Sequence, residues 1–423
     1  MSDMYRMLVS LVLTVLVVSC GAPDATRSQT ATAIAPAASP VASATPEPLP
    51  PIRIARFPQQ ANFRGFNVYT ELPVYDPNST EGWQVDLRSS NLKDLDLSQS
   101  TKDLFFADFD SKTQWPSSDK MPVDFDWQKI LEMNKDPGLG IRTLHDQGID
   151  GTGVGIAIID QTLLVDHIEY TGRMRLYEER EKRDRGREAS MHGPAVASIA
   201  VGRTVGVAPN ADLYYLASPI CFENNDFECL ARGVRRVIEI NQTLPARHKI
   251  RVLAIARGWA SVELGYDDIM TAVKEATDAG IFVISSSLSQ THSLHFHGLG
   301  HDSLSNPNQT ESYMPGLWWQ DYFFENGLPA QTLMVPMDSR TTASPTGKED
   351  YVFYRQGGWS WAIPYLAGMY TLAVQVKPDI TPEEFWDTAL NTGRTIHIGH
   401  NGKDYEFGVI LDPQALIEAI KSK

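Results

Sequence analysis

Three stretches of small or apolar residues each carry one isolated polar side chain at the point where the pattern changes. In the first, a glycine-rich turn at 151–155 leads into a continuous apolar run that ends in Asp160. An unbroken run of this length predicts a strand buried on both faces, as in a parallel sheet. Because ligands and chemistry gather at the carboxyl ends of strands in open α/β sheets, Asp160 is a candidate functional carboxylate.

The second stretch predicts a helix that begins at a histidine. His192 precedes Gly193 and a series of small residues up to Ala200, and a further strand is predicted over 205–216. Taken alone, this pattern also fits a simple tight helix start, just as the glycine-rich turn before Asp160 also fits a dinucleotide-binding turn.

The third stretch places a serine after two glycines. Gly357 and Gly358 allow the backbone to turn sharply, and apolar residues at helical spacing then extend beyond Leu372. Ser360 is therefore predicted at a helix N-terminus, with Pro364 within about the first turn. Ser360 by itself is as well explained as an N-cap as it is as a nucleophile.

Together, the three ordered blocks resemble those around the catalytic Asp, His and Ser of the subtilisin-like serine peptidases (subtilases, S8 family), over roughly residues 140–420. The resemblance implies an α/β fold of three layers with a mostly parallel sheet. It also implies an endopeptidase that forms an acyl-enzyme: Ser360 is the nucleophile, His192 the general base, and Asp160 the carboxylate that orients the histidine.

Two places depart from the pattern of that family. The predicted strand at 280–289 ends in Leu288 and Ser289, where subtilases have a Gly and the Asn that donates to the oxyanion. Ser289 is therefore the candidate donor of an atypical oxyanion site; in subtilisin itself, losing this donor costs about 10²–10³ in kcat. The predicted strand at 251–258 matches the strand that pairs with extended substrate, so the candidate substrate contacts are Arg257, Gly258 and Trp259.

Composition adds limits on class and compartment. The length of 423 residues favours more than one module. The formal net charge of −15 argues against nucleic-acid binding. Residues 1–20 combine Arg6 with a short apolar run and end in Cys20, in a pattern that resembles a bacterial lipobox. We therefore expect a protein that is exported and lipid-anchored through Cys20, at the bacterial cell surface or in the periplasm; an ordinary signal peptide with an incidental cysteine is the alternative.

The remaining text divides into three parts. Residues 21–51 are rich in Ala, Pro, Ser and Thr and predict a disordered linker. Residues 52–125 predict a small β-rich N-terminal accessory region with short stacked turns, for which an inhibitory propeptide is the alternative. Residues 126–423 form the predicted peptidase domain. Within it, Cys221 and Cys229 are close enough in sequence to pair in an exported protein, with two buried thiols as the alternative.

Four histidines follow the predicted oxyanion strand: His292, His295, His297 and His301. A metal site needs ligands that converge on one point. A polar loop beside the cleft is the favoured explanation of the pattern, and an oxyanion or substrate role for one of the histidines is a further alternative. We expect no metal and no required cofactor; structural calcium is left open. The expected partners are protein or peptide substrates and the membrane. The first alternative function is a catalytically weak or inactive peptide-binding or scaffold lipoprotein with the subtilase fold. The second is a wall-associated structural or interaction protein that uses the module at 52–123.

Overall fold

The computed structural model describes residues 48–62, 68–79 and 81–423, so the predicted signal segment, Cys20 and most of the linker lie outside the described residues. The strands are β1 Arg53–Ile54, β2 Val85–Asp86, β3 Ala107–Asp110, β4 Gly155–Asp160, β5 Met174–Glu179, β6 Asp212–Ala217, β7 Ile250–Ile255, β8 Phe282–Ser285, β9 His295–His301, β10 Tyr313–Pro315, β11 Thr332–Pro336, β12 Arg340–Ala343, β13 Tyr351–Tyr354, β14 Arg394–His400 and β15 Lys403–Ile410.

The α-helices are α1 Thr101–Leu104, α2 Trp127–Met133, α3 Ile141–Asp146, α4 His192–Val201, α5 Pro219–Glu223, α6 Phe227–Gln242, α7 Tyr266–Asp278, α8 Leu288–His292, α9 Gln320–Asn326, α10 Trp359–Val376, α11 Pro382–Thr392 and α12 Pro413–Lys421. Within the described part of the chain, no helix is both long enough and apolar enough to cross a membrane.

A six-stranded parallel sheet forms the centre of the fold, in the order β1-β5-β6-β4-β7-β8. Strand β4 alternates between its two faces. Ile156 and Ile158 pack with the residues of α4 and α10, whereas Ala157 and Ile159 pack with those of α6 and α7. Helices therefore cover both faces of the sheet, and the predicted α/β fold of three layers is confirmed.

Two smaller sheets flank this centre. One has the order β10-β9-β11-β15-β14, and the other has the order β12-β13-β3-β2. In the second sheet, β2 and β3 come from the N-terminal region, and isolated parallel bridges link Val68 to Asn91 and Asn91 to Gln114. Successive turns of this region therefore stack in parallel, as the sequence predicted.

Local predictions fared unevenly. The predicted disulfide between Cys221 and Cys229 is present and joins α5 to the first turn of α6. The charged segment 170–190 contains β5, because Met174 and Tyr177 bury their side chains and add a strand to the main sheet. The strand predicted over 280–289 ends at Ser285, and α8 begins at Leu288.

Candidate active site

Asp160 is the last residue of β4, and its side chain is fully buried. Its Oδ1 accepts the N–H of Gln161 at 2.6 Å and lies 2.7 Å from His192 Nδ1. Its Oδ2 has no hydrogen-bond partner among the residues described. The strand end thus directs one carboxylate oxygen at the imidazole, as the sequence placed it.

His192 begins α4, and its side chain is 17% exposed. The close packing behind it depends on Gly193, because a Cβ there would lie 2.5 Å from the Tyr215 hydroxyl and 2.9 Å from the Gln161 carbonyl. The ring of Trp361 packs against the imidazole with centroids 5.4 Å apart. The ring of His192 is therefore held between the carboxylate of Asp160 and the first turn of another helix.

That other helix is α10, and Ser360 is its second residue. The backbone that leads into α10 is tightly packed, because a Cβ at Gly357 would collide with the carbonyl oxygen of Met337. Asp338 accepts the N–H of Gly357 at 2.7 Å, which fixes the backbone three residues before the serine. The hydroxyl of Ser360 donates to the carbonyl oxygen of Ala256 at 3.4 Å.

The topology brings the side chains of Asp160, His192 and Ser360 to the carboxyl ends of the central strands of the main sheet. Ala256 directly follows β7, and β7 pairs with β4 through Ile255 and Ile159, so the Ser360 hydroxyl lies beside the strand end that carries Asp160. Trp361, which follows Ser360, touches His192. One detail of the prediction is wrong: α10 begins at Trp359, so Pro364 is the sixth residue of the helix and lies beyond its first turn.

The candidate oxyanion donor, Ser289, is an exposed residue in the first turn of α8. It lines the same cavity as Trp359, the residue before Ser360. Ser286, which directly follows β8, also lines that cavity and is half-buried. Two serine hydroxyls therefore stand near the site where the predicted family pattern has one amide.

The three candidate substrate contacts take different positions. Arg257 and Gly258 are half-buried after the end of β7, and a Cβ at Gly258 would lie 3.0 Å from Ser286 Cβ. The prediction for Trp259 is wrong. Its side chain is 3% exposed and packs against Phe227, because it turns under the sheet toward α6 and α7. Its backbone N–H and carbonyl are both bound by Ser287 Oγ, at 2.8 and 2.9 Å.

A cavity of about 200 Å³ opens beside Ser360 between α8, β9 and α9. Its walls include Phe296, His297, Trp319 and Trp359, and no Asp, Glu, Lys or Arg is among the lining residues that the structure describes. His297 packs against Trp319 with ring centroids 3.8 Å apart and the ring planes tilted by 38°. Burial among these rings lowers the pKa of His297 to about 4, so the imidazole is neutral at pH 7.

The hydrogen bonds of His297 fix its tautomer. Its Nδ1 accepts the N–H of Gly298 at 3.1 Å, so Nε2 carries the proton. Neither this Nε2–H nor the indole N–H of Trp359 has an acceptor among the described residues. The cavity is therefore lined mainly by apolar and aromatic side chains, with unpartnered donors in its wall.

The four histidines singled out in the sequence do not converge. His297 faces the tryptophans, whereas His301 packs against Tyr313 and its Nδ1 lies 2.9 Å from the Asp302 carbonyl. Across the described residues, no group of three or more His, Cys, Asp or Glu side chains has the arrangement of a metal site.

Residues 151–319 match the model of the subtilase family, Peptidase S8. The chain contains a subtilase domain. Subtilases are serine peptidases, so the substrates of this enzyme are proteins or peptides. The matched segment includes Asp160 and His192, and Ser360 follows it. No curated protein matches the chain.

Three solved structures illustrate the similarity of the chain to known proteins. The prenylagaramide maturation protease PagA is 15% identical with a TM-score of 0.46, over 67% of this chain and 99% of that one. The PatG macrocyclase domain is 15% identical with a TM-score of 0.45, over 67% and 95%. A cold-adapted subtilisin-like serine proteinase is 17% identical with a TM-score of 0.40, over 58% and 83%.

Asp338 is a residue beside the candidate site that the sequence analysis missed. Its carboxylate is fully buried and also accepts the N–H of Leu317 at 2.7 Å, so it ties the nucleophile loop to the segment before Trp318 and Trp319. Burial raises its pKa to about 6 against the opposing effect of those N–H donors. The available signal was a carboxylate directly after the apolar strand Thr332–Pro336 and Met337.

Proposed function

We propose that this chain is a serine endopeptidase that hydrolyses peptide bonds through Asp160, His192 and Ser360. The proposal rests on the 2.7 Å hydrogen bond between His192 Nδ1 and Asp160 Oδ1, formed at the sheet edge where Ser360 also lies. A carboxylate on Nδ1 favours the tautomer in which that nitrogen carries the proton, which leaves Nε2 as the base.

The reaction begins with a rotation of the serine. The contact between Ser360 Oγ and the Ala256 carbonyl, at 3.4 Å, is long for an O–H···O hydrogen bond and is given up at small cost. The hydroxyl turns to His192 Nε2, and Oγ attacks the carbonyl carbon of the scissile peptide bond. His192 takes the hydroxyl proton and then donates it to the leaving amine, while Asp160 stabilises the imidazolium. Water then cleaves the acyl-enzyme by the same proton route.

The negative charge on the carbonyl oxygen needs donors. We propose the backbone N–H of Ser360, in the first turn of α10, together with the hydroxyl of Ser289 or Ser286. The N–H groups of a first helical turn have no intrahelical acceptor, so they are available to an anion. A hydroxyl in place of an amide makes this oxyanion site atypical for a subtilase.

We further propose that the cavity beside Ser360 binds the side chain on the acyl side of the cleaved bond. The aromatic walls, and the lack of Asp, Glu, Lys or Arg among the described lining residues, favour a large, uncharged side chain, because an unpaired charge is costly to bury. The Nε2–H of His297 favours a side chain with an acceptor, such as tyrosine.

A fluorophosphonate probe tests the central proposal. The purified ectodomain should be labelled and should cleave casein, and Ser360→Ala should abolish both, because the alkoxide that attacks the probe is then missing. Ser422→Ala, an exposed serine near the C-terminus, is the matched control and should behave like the parent protein. A folded parent protein that neither labels nor cleaves would instead support the inactive, peptide-binding scaffold.

Location and cofactor needs remain proposals from the sequence. We propose that Cys20 is lipidated after export and anchors the enzyme to the membrane; incorporation of radiolabelled palmitate that is lost in Cys20→Ser would support this. The proposed steps use only side chains, a backbone N–H group and water, and require no cofactor. Activity that survives dialysis against a chelator would agree with that expectation.

A further inference from the structure

β13, the strand before Ser360, pairs with strands from two distant parts of the chain. β13 pairs on one side with β12 and on the other side with β3, in the register Val352 to Asp110 and Phe353 to Phe109. β3 belongs to the N-terminal region, and β2 pairs with it in turn. Without the N-terminal region, β13 would be an edge strand with one row of unpaired backbone groups.

Side chains of the N-terminal region also bind the backbone that continues from β13. The buried carboxylate of Asp108 accepts the N–H of Arg355 at 2.6 Å. The indole N–H of Trp83 donates to the carbonyl oxygen of Gln356 at 3.2 Å. These contacts reach to within four residues of Ser360, where Asp338 holds the next amide, that of Gly357.

The apolar core of the N-terminal region includes a residue of β13. Phe353 is 1% exposed and packs against Phe109 with ring centroids 5.2 Å apart, in a cluster that also contains Phe125. The side chain of Arg355 donates to the Phe105 carbonyl at 3.1 Å, which adds a polar contact at the same junction. Removal of the N-terminal region would therefore expose apolar surface and orphan several polar groups on this strand.

We propose that residues 82–125 are a permanent part of the active enzyme, that they support the strand before the nucleophile, and that Asp108 is a positioning residue for Ser360. A propeptide that must leave before activity appears is incompatible with this role. The proposal rests on the proposed function for its activity readout, so its experiments include a measurement that does not depend on catalysis.

The first experiment determines which residues remain in active molecules. The enzyme is labelled with a fluorophosphonate, and the labelled species is weighed by native and denaturing mass spectrometry. We expect labelled molecules to retain residues 82–125. A labelled species that begins after Phe125, with no associated N-terminal fragment under native conditions, would overturn the proposal.

The second experiment compares two substitutions of Asp108. Asn can still accept the Arg355 N–H through its side-chain oxygen, whereas Ala cannot. We expect Asp108→Ala to lower the labelling rate of folded protein about tenfold to a hundredfold, since misplacement by about 1 Å costs up to 10², and Asp108→Asn to remain near the parent rate. Asp94→Ala, an exposed aspartate of the same region, is the control.

Hydrogen exchange of the backbone amides separates this proposal from the proposed function. In Asp108→Ala we expect faster exchange at 351–358 than in Asp108→Asn. The amides of the helices that pack on the main sheet should exchange at the same rate in both variants. If exchange at 351–358 is faster in Asp108→Ala but no variant, including the parent protein, is labelled, the peptidase assignment is refuted and the structural role of residues 82–125 still stands. Equal exchange at 351–358 in both variants would refute the support role.

Discussion

Two histidines beside the candidate nucleophile have opposite surroundings. His192 faces the carboxylate of Asp160 at 2.7 Å, whereas His297 lies among tryptophans, and no carboxylate of the described residues contacts it. The carboxylate of Asp160 can stabilise a positive charge that forms on His192 during proton transfer, whereas burial keeps His297 neutral at pH 7. The two rings are therefore suited to different work, proton transfer for His192 and hydrogen-bond donation for His297.

Asp160→Asn should lower kcat by about 10²–10⁴, because the amide can hold the imidazole but cannot stabilise its cation. Steady-state hydrolysis of a chromogenic peptide measures this. The control is Asp166→Asn, since Asp166 pairs with Lys348 on the surface, and this variant should keep its activity. A kcat for Asp160→Asn that equals that of the control would contradict the assignment of Asp160.

His297→Phe should change selectivity and leave the overall rate with its best substrate little changed. The ring still packs on Trp319, but the donor is gone, so the preference for tyrosine over phenylalanine on the acyl side should fall about three- to tenfold, the value of one neutral hydrogen bond. Paired peptides that differ only in that residue provide the measurement. A parent enzyme that shows no such preference would remove the donor role from His297.

At the scale of elements, the site depends on where strands and helices begin and end. β4 ends at Asp160, α4 begins at His192, and α10 begins one residue before Ser360. These boundaries place the side chains at the edge of the sheet without a long loop. The close packing behind α4, where Gly193 meets β6, keeps that helix start in place.

Gly193→Ala should therefore cost both stability and activity. Its Cβ would lie 2.5 Å from the Tyr215 hydroxyl, so α4 must shift, and we expect about 1–3 kcal/mol of lost unfolding free energy together with a kcat lowered at least tenfold. Gly172→Ala is the matched control, because nothing lies within 4 Å of a Cβ there. Urea unfolding and peptide hydrolysis of the two variants check this. Equal behaviour of the two would contradict the packing argument.

These element boundaries were largely predictable, and their partners were not. The turn at Gly357 and Gly358 and the apolar run up to Asp160 carry local signals of helix start and strand end. The pairing of β3 with β13, the position of Asp338, and the side that Trp259 faces depend on residues far apart in the sequence. A single sequence holds no signal for such contacts, because any apolar strand offers the same backbone groups to every candidate partner.

For the whole molecule, the buried acids and the buried histidines change the free energy of unfolding in opposite directions as the pH rises. Burial raises the pKa of Asp108 to about 8, and that of Asp338 to about 6, whereas burial lowers the pKa of His297 and His301 to about 4. Between pH 4 and 6 the folded protein retains protons on the acids that the unfolded chain has lost, and it lacks protons on the histidines that the unfolded chain has gained. The two effects have opposite slopes.

Above about pH 6.5, Asp108 remains the buried acid of this set that is protonated only in the folded state. Its stabilising contribution is complete below the unfolded pKa and is lost as the pH rises through about 8. We therefore expect Asp108→Asn to gain in unfolding free energy relative to the parent protein as the pH rises from 5 to 8, by up to about 1.4 kcal/mol per unit. Urea titrations at each pH measure the difference, and a constant difference would contradict the raised pKa.

The junction of β3 and β13 also sets an order of events during synthesis. Asp108 and Arg355, which it joins, are 247 residues apart, and the N-terminal member leaves the ribosome first. Until β13 has been synthesised, β3 has an unpaired edge. Ser360, the proposed nucleophile that His192 would activate, is then also missing. The proposed peptidase activity therefore cannot appear before the segment from β13 to Ser360 has been synthesised.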